Sequence, residues 1–373
     1  MNSTVSLPLV ALLDEELSSG RFGDEKFLST HLIKLYRGIG KILESWIGEQ
    51  VPKLEENTPT EVKIVVRRAL DECFSKLEKQ QAEVLPEIKE DIALIKKWID
   101  TVSSYPEHPK INDLLVLDQW DANPFLMSIS QQFVYSMADE GVKVATVEPS
   151  DEQLAIIGEA RKLLSSLIPN LTSSTVPLAN AVSLIEGGIS SGYINENPYT
   201  YMINVTQLAD PLMAADAILH EALHQKLADI RLTSNLLEES YHDLESEARA
   251  DIPLPWPKVE SPRPFSVARG IATCHVYVHI SFLYLAALEH FEEDEGLQNL
   301  GREEIEKRLI RSYERARYLS EILNTERSTS NLGSDGKDLM GWMGQIVDQL
   351  GSYKFSGKGQ LSQQGNRWNV PAN

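Results

Sequence analysis

DPLMAADAILHEALHQKLADIRL, residues 210–232, gives the strongest structural signal in the chain. Asp210 is of the residue type that caps helix N-termini, and Pro211 suits the first helical turn. Apolar residues recur at helical spacing and predict a stripe that faces the core: Leu212, Ala215, Leu219, Leu223, Leu227 and Ile230. We therefore predict one long amphipathic helix here.

The same helix carries the pattern HExxH at His220, Glu221 and His224. Residues four apart lie one turn apart on one helix face, so both imidazoles can bind a single first-row divalent metal. Glu221 points about 100° round the helix from His220 and can stand near the metal without being a ligand. The ordinary alternative is a pair of half-buried histidines with common hydrogen bonds. The adjacent apolar stripe and a second histidine pair downstream favour the metal site.

Asp216 lies one turn before His220 on the same helix face. It can accept a hydrogen bond from the imidazole and so fix the tautomer of a metal ligand. The alternative is a surface carboxylate that the helix dipole favours near the helix start.

Composition excludes several classes of partner. The chain has 373 residues, 42% of them hydrophobic and 24% charged, as in an ordinary soluble globular protein of one large or two moderate domains. A formal charge of −20 argues against nucleic acid and anionic membranes, which need basic patches. Two cysteines, Cys73 and Cys274, suit a reducing cytoplasm. No signal peptide is predicted, and we expect the apolar segment from His275 to Phe291 to be a buried helix.

The wider pattern predicts a mainly α protein with a small β-sheet, that is, an α+β fold. Residues 1–120 read as a helical scaffold or docking region, 121–355 as an HExxH catalytic region, and 356–373 as a mobile tail. Residues 175–206 contain two β-like runs around a Gly/Ser turn. Alternation of Tyr199, Tyr201, Ile203 and Val205 predicts a half-buried strand that leads into the HExxH helix.

The third metal ligand decides the chemistry, and the sequence offers two sets. Glu245 or Glu247 would follow the motif on a possible helix, as in the gluzincin metallopeptidases, although a solvated acidic face explains them as well. His275 or His279, four apart on the apolar helix, would complete a three-imidazole site for iron, zinc or copper. The alternative for this pair is a hydrogen-bonded couple in the core.

Several of these elements together resemble one family. They are a strand, the helix with LHEALHQ, then Pro255-Trp256, Arg263-Pro264 and an apolar helix from Gly270. This order, over roughly residues 175 to 295, resembles the HExxH-motif proteins found beside ribosomally made peptide natural products.

The resemblance implies a non-haem iron(II) oxygenase that uses 2-oxoglutarate and hydroxylates a side chain, often at Cβ, in a peptide substrate. Its iron would take His220, His224 and His275, with His279 as a competitor for the third place. Arg263 and Arg269 would be the choices for the distal carboxylate of 2-oxoglutarate. Glu221 would orient a ligand or bind substrate. The family often has a polar residue where this chain has Arg269, which leaves the third ligand open.

Two other functions fit the same residues. A zinc metallopeptidase would use Glu221 as general base for a zinc-bound water. A non-catalytic helical protein that binds a peptide or a carrier domain would need no metal. The sequence does not predict the oligomeric state or the identity of the peptide.

Overall fold

The computed structural model describes residues 7–80, 85–104, 110–111, 114–117, 124–139, 141–189, 191–195, 197–241, 251–256, 264–355 and 359–364. The protein is mainly α-helical with a small mixed sheet, as predicted. The chain forms two compact units. The sheet unit comprises residues 24–163 and 173–229, and the helical unit comprises residues 1–23, 164–172 and 230–373.

Helices make up most of the described structure. Their bounds are α1 Leu7–Ser18, α2 Gly20–Gly23, α3 Glu25–Ile47, α4 Thr60–Gln80, α5 Leu85–Ser104, α6 Pro124–Asp139, α7 Asp151–Leu167, α8 Pro169–Thr175, α9 Pro211–Thr233, α10 Val267–Glu289, α11 Glu295–Leu300, α12 Arg302–Leu323, α13 Glu326–Thr329 and α14 Ser334–Gly351. Short 3-10 turns span Val176–Leu178, Val205–Leu208 and Leu361–Gln363.

The strands are β1 Lys110–Ile111, β2 Leu114–Val116, β3 Val144–Val147, β4 Ala181–Gly187, β5 Ser191–Gly192, β6 Thr200–Asn204, β7 Lys354–Phe355 and β8 Gly359–Gln360. In the sheet unit the order is β1-β2-β4-β6-β5, and β3 also pairs with β4. The pairs β2/β4 and β4/β6 are parallel, and the other pairs are antiparallel. β4 and β6 therefore form the centre of the sheet.

One face of the sheet packs on the N-terminal helices of its own unit. Ala181, Ile185 and Met202 join a buried cluster with residues of α3, α4 and α5, among them Leu32, Leu43, Ile64, Leu70, Ile88 and Ile92. These helices therefore share one hydrophobic core with the sheet.

The prediction of a half-buried β6 was wrong in one respect. All five residues Thr200–Asn204 are buried, so both faces of the strand are covered. A central strand with parallel neighbours is commonly buried on both faces, so the polar and apolar alternation of its sequence does not mark a solvent face.

The helical unit is built on α10, which packs against α12, α14 and α1. Ser266 caps its start by accepting a hydrogen bond from the backbone N–H of Arg269. Among the described residues, only α10 is long and apolar enough to cross a membrane, and 83% of its most apolar window is buried inside the protein. It is the predicted core helix, which fits a soluble protein.

Residues 251–256, the described start of the proline-rich run before α10, pack on the same unit. Trp256 lies edge-on to Tyr318, with ring centroids 5.9 Å apart, and the guanidinium of Arg315 lies 5.5 Å from its centroid. Tyr318 donates a hydrogen bond to the carbonyl of Pro253. These contacts hold residues 253–256 against α12.

Two glycines of α14 offer a matched test of the packing of the helical unit. A Cβ at Gly336 would lie 2.0 Å from the carbonyl oxygen of Leu236, whereas a Cβ at Gly341 meets nothing within 4 Å. We expect Gly336→Ala to destabilise the protein by roughly 1–3 kcal/mol, because the backbone must move. Gly341→Ala should stabilise it by about 0.5–1 kcal/mol through helix propensity. Thermal unfolding of both variants checks the opposite signs.

The predicted boundary near residue 120 stays a prediction. The predicted mobile tail falls largely outside the described residues. Of the part that is described, Gly359–Gln360 pairs with Lys354–Phe355, and Leu361 is buried.

Candidate functional site

The predicted helix at residues 210–232 is confirmed as α9. Asp210 caps it, because its carboxylate accepts a hydrogen bond of 2.7 Å from the backbone N–H of Met213, and Pro211 is the first helical residue. All six residues of the predicted apolar stripe are buried, the most exposed at 3%.

The histidine pair lies on the one side of α9 that is not fully buried. Partly exposed residues recur along this side at helical spacing and include Asp216, His220, His224 and Ala228. Almost every other residue between Leu212 and Ile230 is buried. The two imidazoles therefore leave a core helix towards its only accessible face.

The spacing of the two rings fits a shared metal ion. The ring centroids of His220 and His224 are 5.0 Å apart. An imidazole bound through a nitrogen at about 2.1 Å has its centroid about 3.2 Å from the metal, and two such rings at an angle near 100° have centroids about 5 Å apart. This arrangement can supply two ligands without a change of backbone.

The electrostatics of His220 favour the neutral imidazole that binds metals. Its side chain keeps 35% of its surface exposed. Desolvation by the surrounding protein, followed by the neighbouring His224, nevertheless lowers the pKa of His220 to about 3. His220 is therefore neutral at pH 7, and no proton has to be displaced from it when a metal binds.

Glu221 turns away from the accessible face and is 2% exposed. Its Oε1 accepts a short hydrogen bond from the hydroxyl of Ser191 on β5 and lies 4.0 Å from His220 Nε2. Burial raises the pKa of Glu221 to about 8, the Ser191 bond lowers it and the charge of Asp216 raises it. The carboxyl is thus largely protonated at pH 7.

Tyr201 is a further polar residue near Glu221; the sequence placed it in a strand but gave no sign of its place beside the motif. Ser191 pairs with Ile203, and Tyr201 lies two residues from Ile203 on the same sheet face. Burial raises the pKa of Tyr201, the charge of Arg161 lowers it and that of Glu221 raises it. Among the described residues, neither the Tyr201 hydroxyl nor Glu221 Oε2 has a hydrogen-bond partner.

Tyr193, which follows β5 directly, lies beside the histidine pair. Its ring is stacked on His224, with centroids 6.3 Å apart and planes 11° apart. β5 therefore contributes the hydroxyl that binds Glu221, and the residue that follows β5 contributes the ring that stacks on His224.

A buried polar network lies on the neighbouring side of α9. Arg67 of α4 binds Asp229 at 2.7 Å, with side chains 3% and 0% exposed. Gln225 donates to Asp229 at 2.7 Å and accepts from the backbone N–H of Tyr199 at 2.6 Å. Glu221, Gln225 and Asp229 follow one another at intervals of four residues. This spacing was a signal in the sequence for a polar stripe on a second side of α9.

Arg67 also contacts two tyrosines. Its Nε donates to the hydroxyl of Tyr36 at 2.9 Å, and its guanidinium lies 5.5 Å and 5.1 Å from the ring centroids of Tyr36 and Tyr199. Desolvation opposes the charge of Arg67, but Asp229 and the tyrosines raise its pKa well above the ordinary value. The guanidinium is therefore a permanent buried cation.

The second histidine pair lies in the helical unit, on α10. His275 and His279 are fully buried, their ring centroids are 4.4 Å apart, and His279 Nδ1 lies 2.7 Å from the carbonyl oxygen of His275. If that nitrogen carries the proton, Nε2 of His279 is the acceptor nitrogen. His275 as the third ligand stays a prediction, as does its competitor His279.

Of the arginines and glutamates predicted as further site residues, the structure describes Arg269. Arg269 is exposed in the first turn of α10, with its guanidinium 4.9 Å from the ring centroid of Phe265. It lies on a different face of α10 from the buried His275. Arg263, Glu245 and Glu247 lie outside the described residues.

Within the described ranges, no group of three or more His, Cys, Asp or Glu side chains is placed to hold a metal ion. His220 and His224 are thus an incomplete set of metal ligands within those ranges.

Comparison of the sequence with protein-family models and with curated proteins finds no match.

Proposed function

We propose that the protein is a cytoplasmic, non-haem iron(II) oxygenase that uses 2-oxoglutarate to hydroxylate a side chain of a peptide, at Cβ, during natural-product biosynthesis. The observation that carries the proposal is the arrangement of α9. The imidazoles of His220 and His224 lie 5.0 Å apart on its accessible face, while the carboxyl of Glu221 is buried and bonded to Ser191. This suits a metal reaction that needs no carboxylate base on the open side.

The donor set fits the metal in part. His220 and His224 would hold iron(II), His275 remains the proposed third ligand, and Arg263 or Arg269 would bind the distal carboxylate of 2-oxoglutarate. Iron held there would supply the oxidation of a C–H bond to C–OH by O2, with 2-oxoglutarate as the co-substrate that is oxidised to succinate and CO2.

The other residues of the site orient the two histidines and exclude water. Tyr193 limits the motion of His224 by stacking on it. The hydroxyl of Ser191 holds the Glu221 carboxyl on the buried side of His220. There the carboxyl supports His220 as a metal ligand and excludes water. Asp216, one turn before His220, would accept a hydrogen bond from the ring N–H of His220 and orient the ring.

A second function has one observation in its favour. Glu221 Oε1 lies 4.0 Å from His220 Nε2, close enough for a small movement to bring it to a metal-bound water. A zinc metallopeptidase with Glu221 as general base would use that proximity. Such an enzyme would have to break the Ser191 bond and ionise a carboxyl whose pKa is about 8.

The Glu221→Gln variant distinguishes the oxygenase from the metallopeptidase. Glutamine keeps the shape and can accept the Ser191 hydrogen bond, so the oxygenase should retain its turnover of 2-oxoglutarate within about threefold. A peptidase would lose its general base and with it roughly 10²–10⁴-fold in rate. Succinate release and peptide cleavage are measured on the same preparation. Loss of succinate release beyond tenfold, with the fold intact, would contradict the assignment of Glu221 to a supporting role.

The test of the oxygenase itself is anaerobic. Iron(II) and 2-oxoglutarate are added to the metal-free protein, the visible charge-transfer band is recorded, O2 is admitted and succinate is assayed. A band that decays as succinate forms supports the proposal. Tightly bound zinc without a band favours the peptidase, and no bound metal at all favours a peptide- or carrier-binding protein.

A further inference from the structure

Gln225 follows His224 directly and points to the buried side of α9. It is fully buried, and both ends of its amide are occupied. The carbonyl oxygen accepts from the backbone N–H of Tyr199 at 2.6 Å, and the amide nitrogen donates to Asp229 at 2.7 Å. A buried amide held at both ends has one orientation.

The partner of Gln225 is a backbone under strain. Tyr199 has φ 64°, and it is the only residue other than glycine with a positive φ among the residues that the structure describes. A bulky side chain seldom adopts this conformation unless its surroundings impose it. Here the ring lies over the Arg67 guanidinium, and the backbone N–H is directed at Gln225.

These contacts tie α9 to the sheet at the turn that carries His224. Tyr199 leads directly into β6, and Arg67 on α4 binds Asp229 one turn beyond Gln225. The helix can neither slide along its axis nor rotate without breaking a buried hydrogen bond or the buried ion pair. Rotation of α9 would move both imidazoles, because they project from the same helix, His224 about 100° and His220 about 140° round the axis from Gln225.

We infer that Gln225 is a positioning residue, which fixes the rotation and axial position of α9 and thereby holds the imidazoles of His220 and His224 at metal-binding geometry. The inference rests on the proposed function, since it concerns the same metal site. Gln225 itself touches neither the metal face nor a substrate. Its effect passes through the helix backbone.

The experiment compares three variants of the full chain. Gln225→Met keeps the volume and removes both hydrogen bonds. Gln225→Glu retains an acceptor for Tyr199 and, since two buried carboxyls in contact favour sharing one proton, a donor towards Asp229. Asp14→Ala is the control, because Asp14 in the helical unit accepts from the backbone N–H groups of Asn170 and Leu171 and its loss destabilises the protein elsewhere. Each protein is titrated with Co(II) alone, and its visible spectrum and thermal midpoint are recorded.

We expect Gln225→Met to raise the Co(II) Kd about 10-fold and to change the band pattern, at the lower end of the loss for residues that bond a metal ligand directly, because Gln225 acts through the helix backbone. Gln225→Glu should recover part of the affinity, and Asp14→Ala should bind Co(II) as the unmodified protein does. Co(II) binding by Gln225→Met with unchanged Kd and spectrum overturns the inference. If Gln225→Met does not fold, the same comparison is decided by Gln225→Glu against Asp14→Ala.

Imidazole ¹⁵N NMR of the metal-free proteins separates this inference from the proposed function. The signals of His220 and His224 should shift or broaden in Gln225→Met and stay unchanged in Asp14→Ala. Absence of Co(II) binding by the unmodified protein would remove the proposed function, and the imidazole signals would still decide whether Gln225 orients the pair. Unchanged signals would refute the positioning role.

Discussion

Alanine at His220 or at His224 is expected to abolish iron(II) binding and 2-oxoglutarate turnover together. Each imidazole supplies one of the few ligands of the site, so its loss should weaken metal binding by at least about 100-fold, the upper end for residues that only support a ligand. The stability of the metal-free protein should change little, because both side chains lie on the partly exposed side of α9. Isothermal titration with Fe(II) without oxygen, followed by a succinate assay, measures both effects.

His31→Ala is the matched control for these variants. His31 lies in the same unit on α3, is partly exposed and hydrogen-bonds the carbonyl of Phe27, far along the chain from the HExxH pattern. It should retain metal binding and turnover. Turnover that survives in either His220→Ala or His224→Ala would remove the oxygenase assignment.

Removing one partner of the Arg67–Asp229 ion pair should give the largest loss of stability in the protein. Arg67→Met leaves Asp229 as an uncompensated buried carboxylate, and this costs roughly 3–5 kcal/mol. Such a loss is a large share of the 5–15 kcal/mol that is typical of folded proteins, as a rough guide. The double variant Arg67→Met with Asp229→Leu should recover most of it, because a buried pair replaced by apolar residues is often neutral.

Lys76→Met provides the comparison on the same helix. Lys76 binds Asp91 at 2.6 Å, but both side chains are 31% exposed, so water already solvates the pair. Its removal should cost at most about 1 kcal/mol. Urea unfolding of the three variants measures the differences. A cost for Arg67→Met no larger than that for Lys76→Met would mean that the buried network does not hold α4 to α9.

Much of α9 could be predicted because its signals are local. The cap at Asp210, the apolar stripe and the common face of His220 and His224 all follow from a period of about 3.6 residues. The fold class followed from the same reasoning, since most helices of the described residues have strong periodic patterns. The strand β6 shows the limit, because alternation in the sequence does not report that both faces of the strand are buried.

The surroundings of the motif depended on residues that are distant in the chain. The direction of the Glu221 carboxyl is set by Ser191, and its raised pKa by burial that no neighbouring residue in the sequence predicts. Tyr193 reaches His224 only because β5 pairs with β6. The lysines and arginines of α4 look alike in sequence, yet only Arg67 forms the buried pair with Asp229.

The sequence by itself determined that this protein has a long buried helix with two histidines on one face. A helix of known period places its own side chains, so no other part of the chain is needed for that conclusion. Only the tertiary structure decided that the face is the accessible one, that Glu221 is turned inward and that Gln225 and Asp229 anchor the helix. These properties arise from hydrogen bonds and burial between segments far apart in the chain, whose pairing depends on the whole fold.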